Sequence, residues 1–159
     1  MKAASSLLPF DKLLYIRSMA SEAISEWEPV LTVHDYYDRP RNGIAEYRGQ
    51  AHAYRCEWDD ALDDWSRVFL LSPIDDGQLA AVKEDWLIWR RYQERHADGR
   101  LQTGDRHPAL AVDWPRHEQL ADIVEQALRV NEAIAIRAVP EFRETIEPNH
   151  DFEVRWLSV

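Results

Sequence analysis

The sequence predicts an α+β fold: one domain in which a mainly antiparallel sheet, a meander over residues 30–72 joined by C-terminal strands, packs against three helices. Two observations predict it. Hydrophobic spacing is helical near the N-terminus and twice after residue 75, but alternates over 51–58, 133–139 and 152–156. Clusters of turn formers also separate the early alternating runs closely enough for hairpins, without room for helical crossovers. Strands, then helices, then strands suggest helices gathered on a sheet rather than a wound βαβ array.

The elements follow in order. Phe10, Leu13, Leu14, Arg17, Ala20, Ile24 and Trp27 sit near helical spacing, which predicts a first helix from Pro9 to Trp27 with the proline in its first turn. Val30–Tyr36 is β-branched and aromatic, hence a strand. Asp38-Arg39-Pro40-Arg41-Asn42-Gly43 reads as a turn, because proline fixes φ and Asn-Gly takes positive φ readily. Ile44–Tyr47 returns, Arg48-Gly49-Gln50 turns again, and Ala51–Trp58 alternates with His52, Tyr54, Cys56 and Trp58 on one face. Arg67–Ser72 supplies a fourth strand. Asp75 and Gln78 have capping-box spacing ahead of the stripe Leu79, Val82, Trp86 and Trp89, with Ile88 and Tyr92 beside it; Gly99 lies beyond that helix. Pro115 opens the next helix, with Leu120, Ile123, Val124, Ala127 and Leu128 on one face. Alternation in Ala133–Val139 and in Phe152, Val154 and Trp156 marks terminal strands about a Glu147–His150 turn. The whole, 1–159, is one domain with 1–8 a flexible lead and 98–113 a loop.

Composition narrows the function classes. Seven tryptophans in 159 residues call for a packed interior or an interface. A net charge of −10 opposes binding to nucleic acid or anionic lipid and suits a basic protein partner, or solubility alone. Cys56 is the only cysteine, so no internal disulfide forms and thiolate-rich metal sites are excluded. No run reaches the length of a membrane span, and Pro9, Asp11 and Lys12 interrupt the apolar start as no signal peptide would allow. These features predict a cytoplasmic, soluble protein with no cofactor.

Three groups of side chains could carry chemistry. His34, Asp35, Asp38 and His52 could converge for acid–base work, yet their spacing matches no metal pattern and adjacent strand residues face opposite ways. Arg39 and Arg41, flanking Pro40, could grip a carboxylate or phosphate, with ion pairing to nearby aspartates as the plainer alternative. Trp58-Asp59-Asp60-Ala61-Leu62-Asp63-Asp64-Trp65 lacks the glycine and glutamate of a calcium loop and reads as a solvated acidic turn suited to a basic partner. No metal site is expected. Cys56, between Tyr54 and Trp58, reads as a buried small hydrophobe.

The leading expectation is thus a non-enzymatic, protein-interaction domain of bacterial immunity or antitoxin type, binding through Arg39, Arg41, Asp59, Asp60, Asp63 and Asp64. A homodimer through the tryptophan-rich surface is a further expectation. The alternative is a small enzyme or ligand-binding domain whose pocket, between sheet and helices, is lined by His34, Asp35, Arg41, His52 and Tyr54.

Overall fold

In a computed structural model, residues 26–148 and 150–159 are described. Their strands do not lie as an open sheet on helices. They close into an antiparallel barrel in sequence order, β1 (Glu28–Tyr37), β2 (Arg39–Tyr47), β3 (Gln50–Asp59), β4 (Asp64–Pro73), β5 (Ile136–Glu144) and β6 (Phe152–Leu157), with β6 returning to β1. Two helices stand between β4 and β5 among the described residues, α1 (Asp76–Ala97) and α2 (Trp114–Leu128). The expected sheet packed against three helices is therefore incorrect. The helix expected over Pro9–Trp27 falls outside the described residues except for 26 and 27, which are not helical.

Closure depends on two short seams. β1 meets β6 through Glu28↔Val154, Pro29↔Glu153 and Val30↔Phe152, and β4 meets β5 through Phe69↔Ala138, Leu70↔Arg137 and Leu71↔Ile136. The barrel is thus a four-stranded meander closed by the β5–β6 hairpin. Aromatic rings occupy much of its interior. Tyr54, Phe69, Phe142 and Trp156 lie ring to ring with centroids 5.9–6.4 Å apart, and Val30, Leu71 and Val154 complete the packing. A barrel of this size has room only for side chains.

The other face of β2 and β3 is also dry. Ile44, Ala51 and Ala53 point outward against Val82 and Ile88 of α1 and Leu120, Val124 and Ala127 of α2. Asp75 caps α1, accepting from Gln78 N at 2.7 Å, while Gln78 Oε1 accepts from Asp75 N at 3.0 Å. This reciprocal pair satisfies two donors that the first turn would leave open. α2 starts with Pro115 in its first turn, where a missing N–H costs nothing.

The 98–113 connection contains the 3-10 turn Ala111–Asp113 and is held by one carboxylate. Asp105 Oδ1 accepts from Ala111 N and Oδ2 from Gln102 N, both at 2.8 Å. Those backbone donors, with Arg95 near, hold the Asp105 pKa below its usual value. A depressed carboxylate pKa stabilises the fold above the unfolded value near 3.8 and loses that contribution as pH falls through the folded value. Asp105→Asn should therefore lower the amide protection factors at Gln102 and Ala111 at neutral pH, and acid well below the ordinary carboxylate value of 3.8 should lower them in the wild type. Unchanged exchange in the variant would show that the loop is held by other contacts.

Candidate functional site

Three turns gather at one end of the barrel: β1–β2 at Asp38, β3–β4 over residues 60–63, and β5–β6 over residues 145–151. Asp38 takes φ of 62° and Asp63 φ of 50°, the left-handed region that aspartate enters more readily than most residues. Asp59 Oδ1 accepts from Ala61 N at 3.0 Å and Leu62 N at 3.3 Å, and Asp64 Oδ1 accepts from Trp65 N at 2.7 Å. Asp59 and Asp64 therefore shape the acidic turn, whereas Asp60 and Asp63 make no side-chain hydrogen bond among the described residues. The same end exposes large apolar side chains: Tyr36 at 56%, Tyr37 at 60%, Trp58 at 50% and Leu62 at 65%. Trp58 sets its ring edge-on to Trp65 at 5.6 Å.

Just inside this rim, Arg39 and Arg41 do not stand on a turn as the sequence reading had them. They lie on β2, pointing inward, with Pro40 buried on the other face. Arg39 stacks over Phe69 at 5.5 Å. Burial, with Arg41 and Arg67 close by, pulls its pKa below the usual guanidinium value. Arg41 is only 6% exposed. Its Nε donates to the Tyr37 carbonyl at 3.0 Å, its Nη1 to Cys56 Sγ at 3.4 Å, and its plane covers Trp65 at 4.9 Å. Among the described residues neither arginine forms the ion pair with Asp35 or Asp38 that the sequence made the plainer alternative. Burial raises the Cys56 thiol pKa despite Arg41, and its Sγ donates to the Ser66 carbonyl at 3.3 Å. A protonated thiol of this kind is neither an activated nucleophile nor a counter-ion.

The pocket once drawn from His34, Asp35, Arg41, His52 and Tyr54 does not assemble. His34 faces outward and lies 5.5 Å from Trp86 of α1. Desolvation by its neighbours draws its pKa down to about 4, with Asp85 opposing the shift, although the residue as a whole remains exposed. His52 is buried near the opposite end of β3, its Nδ1–H donating to the Gln50 carbonyl at 2.7 Å beside Tyr47. Tyr54 is inside the barrel, where its hydroxyl donates to the Thr32 carbonyl at 3.0 Å. Only Asp35 and Arg41 come together, lining a hollow of about 500 Å³ with Asn42, Trp65 and Leu128.

The sequence reading missed a second polar pair. His117 Nδ1 and Asp85 Oδ1 are 2.6 Å apart between α2 and α1, with Trp114 edge-on to the imidazole at 5.2 Å. Their helical positions gave no signal, since the contact spans two elements. Among the described residues no serine, threonine or cysteine bonds to this histidine, so the pair joins helices without a nucleophile. No cluster of three or more His, Cys, Asp or Glu side chains is placed to hold a metal among the described residues. No helix there is long and apolar enough to cross a membrane. Comparison with protein-family models, curated proteins and solved structures gives no match.

Proposed function

We propose that this chain is a protein-interaction domain that docks a basic partner on the turn-bearing end of its barrel, in the manner of an acidic immunity protein or antitoxin. The observation that carries this reading is the exposure of Tyr36, Tyr37, Trp58 and Leu62 on the adjacent β1–β2 and β3–β4 hairpins. Scattered exposed apolar residues need no explanation, but several at one end, ringed by charge, have the make-up of an interface. Tyrosine and tryptophan bury much area with few rotatable bonds, which makes them frequent anchors of binding energy. Asp60 and Asp63 stand among them with their carboxylates uncommitted, and the net charge of −10 would steer a basic protein toward them.

The test separates anchors from turn formers. Asp60→Lys with Asp63→Lys should abolish salt-sensitive capture of a basic protein from the native host, while Trp58→Ala or Tyr37→Ala should weaken it by about 30-fold or more, as loss of a hot spot of about 2 kcal/mol implies. Asp59 and Asp64 are left intact because their loss would deform the turn itself. Undiminished capture by the folded double-lysine variant rules the reading out. A rim that instead joins two copies of the chain would register as a dimer in light scattering, dispersed by Trp58→Ala.

A further inference from the structure

We propose that Arg41 anchors a binding site for a small oxyanion, a carboxylate or phosphate group, in the hollow between the mouth of the barrel and the C-terminal end of α2. The site is separate from the exposed rim and does not depend on that rim docking a protein.

Arg41 carries a charge with no ionic partner among the described residues. A guanidinium stays protonated at any accessible pH, and a buried charge is ordinarily paired. Arg41 is more than nine-tenths buried, yet its polar contacts among the described residues are a peptide carbonyl and a neutral thiol. Those two acceptors leave most of its five N–H donors unused. The flat face of Trp65 offers a weaker cation–π partner at 4.9 Å, which holds the guanidinium plane without neutralising it.

Neighbouring cations add to the imbalance. Arg41 and Arg67 lie close enough to Arg39 to disfavour its charge. Arg55 and Arg129 also border the hollow, but they are spoken for: Arg55 pairs with Glu57 at 2.9 Å and Glu132 at 2.6 Å, and Arg129 with Glu125 at 3.2 Å. Asp35 is the remaining carboxylate at the hollow, and it forms no ion pair with Arg41 among the described residues. In a chain of net charge −10 surplus carboxylates abound, yet Arg41 forms no ion pair among the described residues, even with Asp35 on the same hollow.

The space matches the charge. At about 500 Å³ the hollow lies within the roughly 300–1,000 Å³ range of small-molecule sites. Leu128 and Trp65 give the lining an apolar part, and Asn42 also lines it, with its Nδ2 already donating to the Tyr54 carbonyl at 3.0 Å. This arrangement suits a molecule with an oxyanion at one end and an apolar body. Arginine is the residue for such a grip because its planar fork meets a carboxylate or phosphate through two parallel hydrogen bonds.

The test uses the full chain with inorganic phosphate and sodium acetate as probes, at ionic strength matched with chloride. The readout is the NMR signal of Arg41 Nε–H and of the Trp65 indole. A saturable shift of both with phosphate, with acetate, or with each supports the site, and the probe that acts tells phosphate from carboxylate chemistry. Arg41→Lys, which keeps the charge without the fork, should bind about 10-fold more weakly, and Arg41→Met should show no saturable shift at Trp65. Wild-type signals that neither probe moves overturn the proposal, as does undiminished binding by folded Arg41→Met. Where Arg41→Met fails to fold, the wild-type shift at Arg41 Nε–H decides alone: present it supports the site, absent it refutes it.

Discussion

Gly43→Ala should destabilise the protein by about 3 kcal/mol, at the top of the roughly 1–3 kcal/mol usual for overpacking. A Cβ at this position would lie 2.1 Å from the Thr32 carbonyl oxygen and 2.8 Å from the Tyr54 hydroxyl. The first is backbone and cannot swing away. It is there because β1 is irregular: pairing slips between Val30 and Thr32, and Ile44 N donates to Thr32 Oγ1 at 3.0 Å. The Thr32 carbonyl turns inward, where Tyr54 donates to it. At this irregularity a side-chain hydroxyl accepts from a strand amide, and a phenol donates to the Thr32 carbonyl. Urea denaturation followed by tryptophan fluorescence would measure the loss. Tyr54→Phe in the same chain should not rescue it, because the Thr32 contact persists. A Gly43→Ala variant within about 0.5 kcal/mol of wild type, the ordinary range for surface changes, would mean that the bulge is misplaced.

Gly43 also shows why part of the fold could be read from sequence and part could not. Local signals held where one neighbour decides the outcome. The alternation of His52, Tyr54 and Cys56 marks the inward face of β3, though a register shift after Cys56 leaves Trp58, expected on that face, half exposed; Asp75 and Gln78 mark the start of α1, and Leu120, Val124 and Ala127 mark the buried stripe of α2. Asn42-Gly43 misled because the glycine serves a close approach rather than a turn, and the contact responsible comes from another strand. The real turn rests on Asp38, and moving it puts Arg39 and Arg41 inside the mouth instead of on the surface. Closure was equally hidden. It depends on three residue pairs joining β1 to β6, segments separated by more than a hundred residues, and hydrophobic period says which face is dry but not whether two sheet edges meet. Burial of both faces of β2 and β3 blurred the pattern further, as with Ile44 and Ala45, adjacent and both buried. For the site, the acidic turn and its aromatic neighbours were visible in the sequence, since turn chemistry is local. The burial of Arg41 without an ion pair among the described residues was not, because it is a property of three-dimensional neighbours.

Phe69→Ala should be the costliest single truncation, about 3–5 kcal/mol, a large share of the 5–15 kcal/mol that holds a typical domain. Its ring is fully buried and touches three other aromatics, Tyr54 at 6.2 Å, Phe142 at 5.9 Å and Trp156 at 6.3 Å. Rings of that size cannot slide inward to fill the gap, so most of the cavity persists. Two further losses add to it. Phe69 supplies the face on which Arg39 rests, so truncation leaves a guanidinium over an apolar void. Phe69 also pairs with Ala138 in the three-residue seam between β4 and β5, one of the two places where the barrel closes. The expected signature is therefore local as well as global: a fall in urea midpoint together with faster amide exchange at Leu71 and Ile136, the far end of that seam. Phe69→Leu, which keeps much of the volume, should recover most of the midpoint. A loss under about 1 kcal/mol for Phe69→Ala, the cost of a minor repacking, would mean that the ring cluster is not the core and that the seam closes without it. Because the same ring carries Arg39 beside the Arg41 hollow, Phe69→Leu should also weaken the oxyanion response of the mouth even where the fold survives.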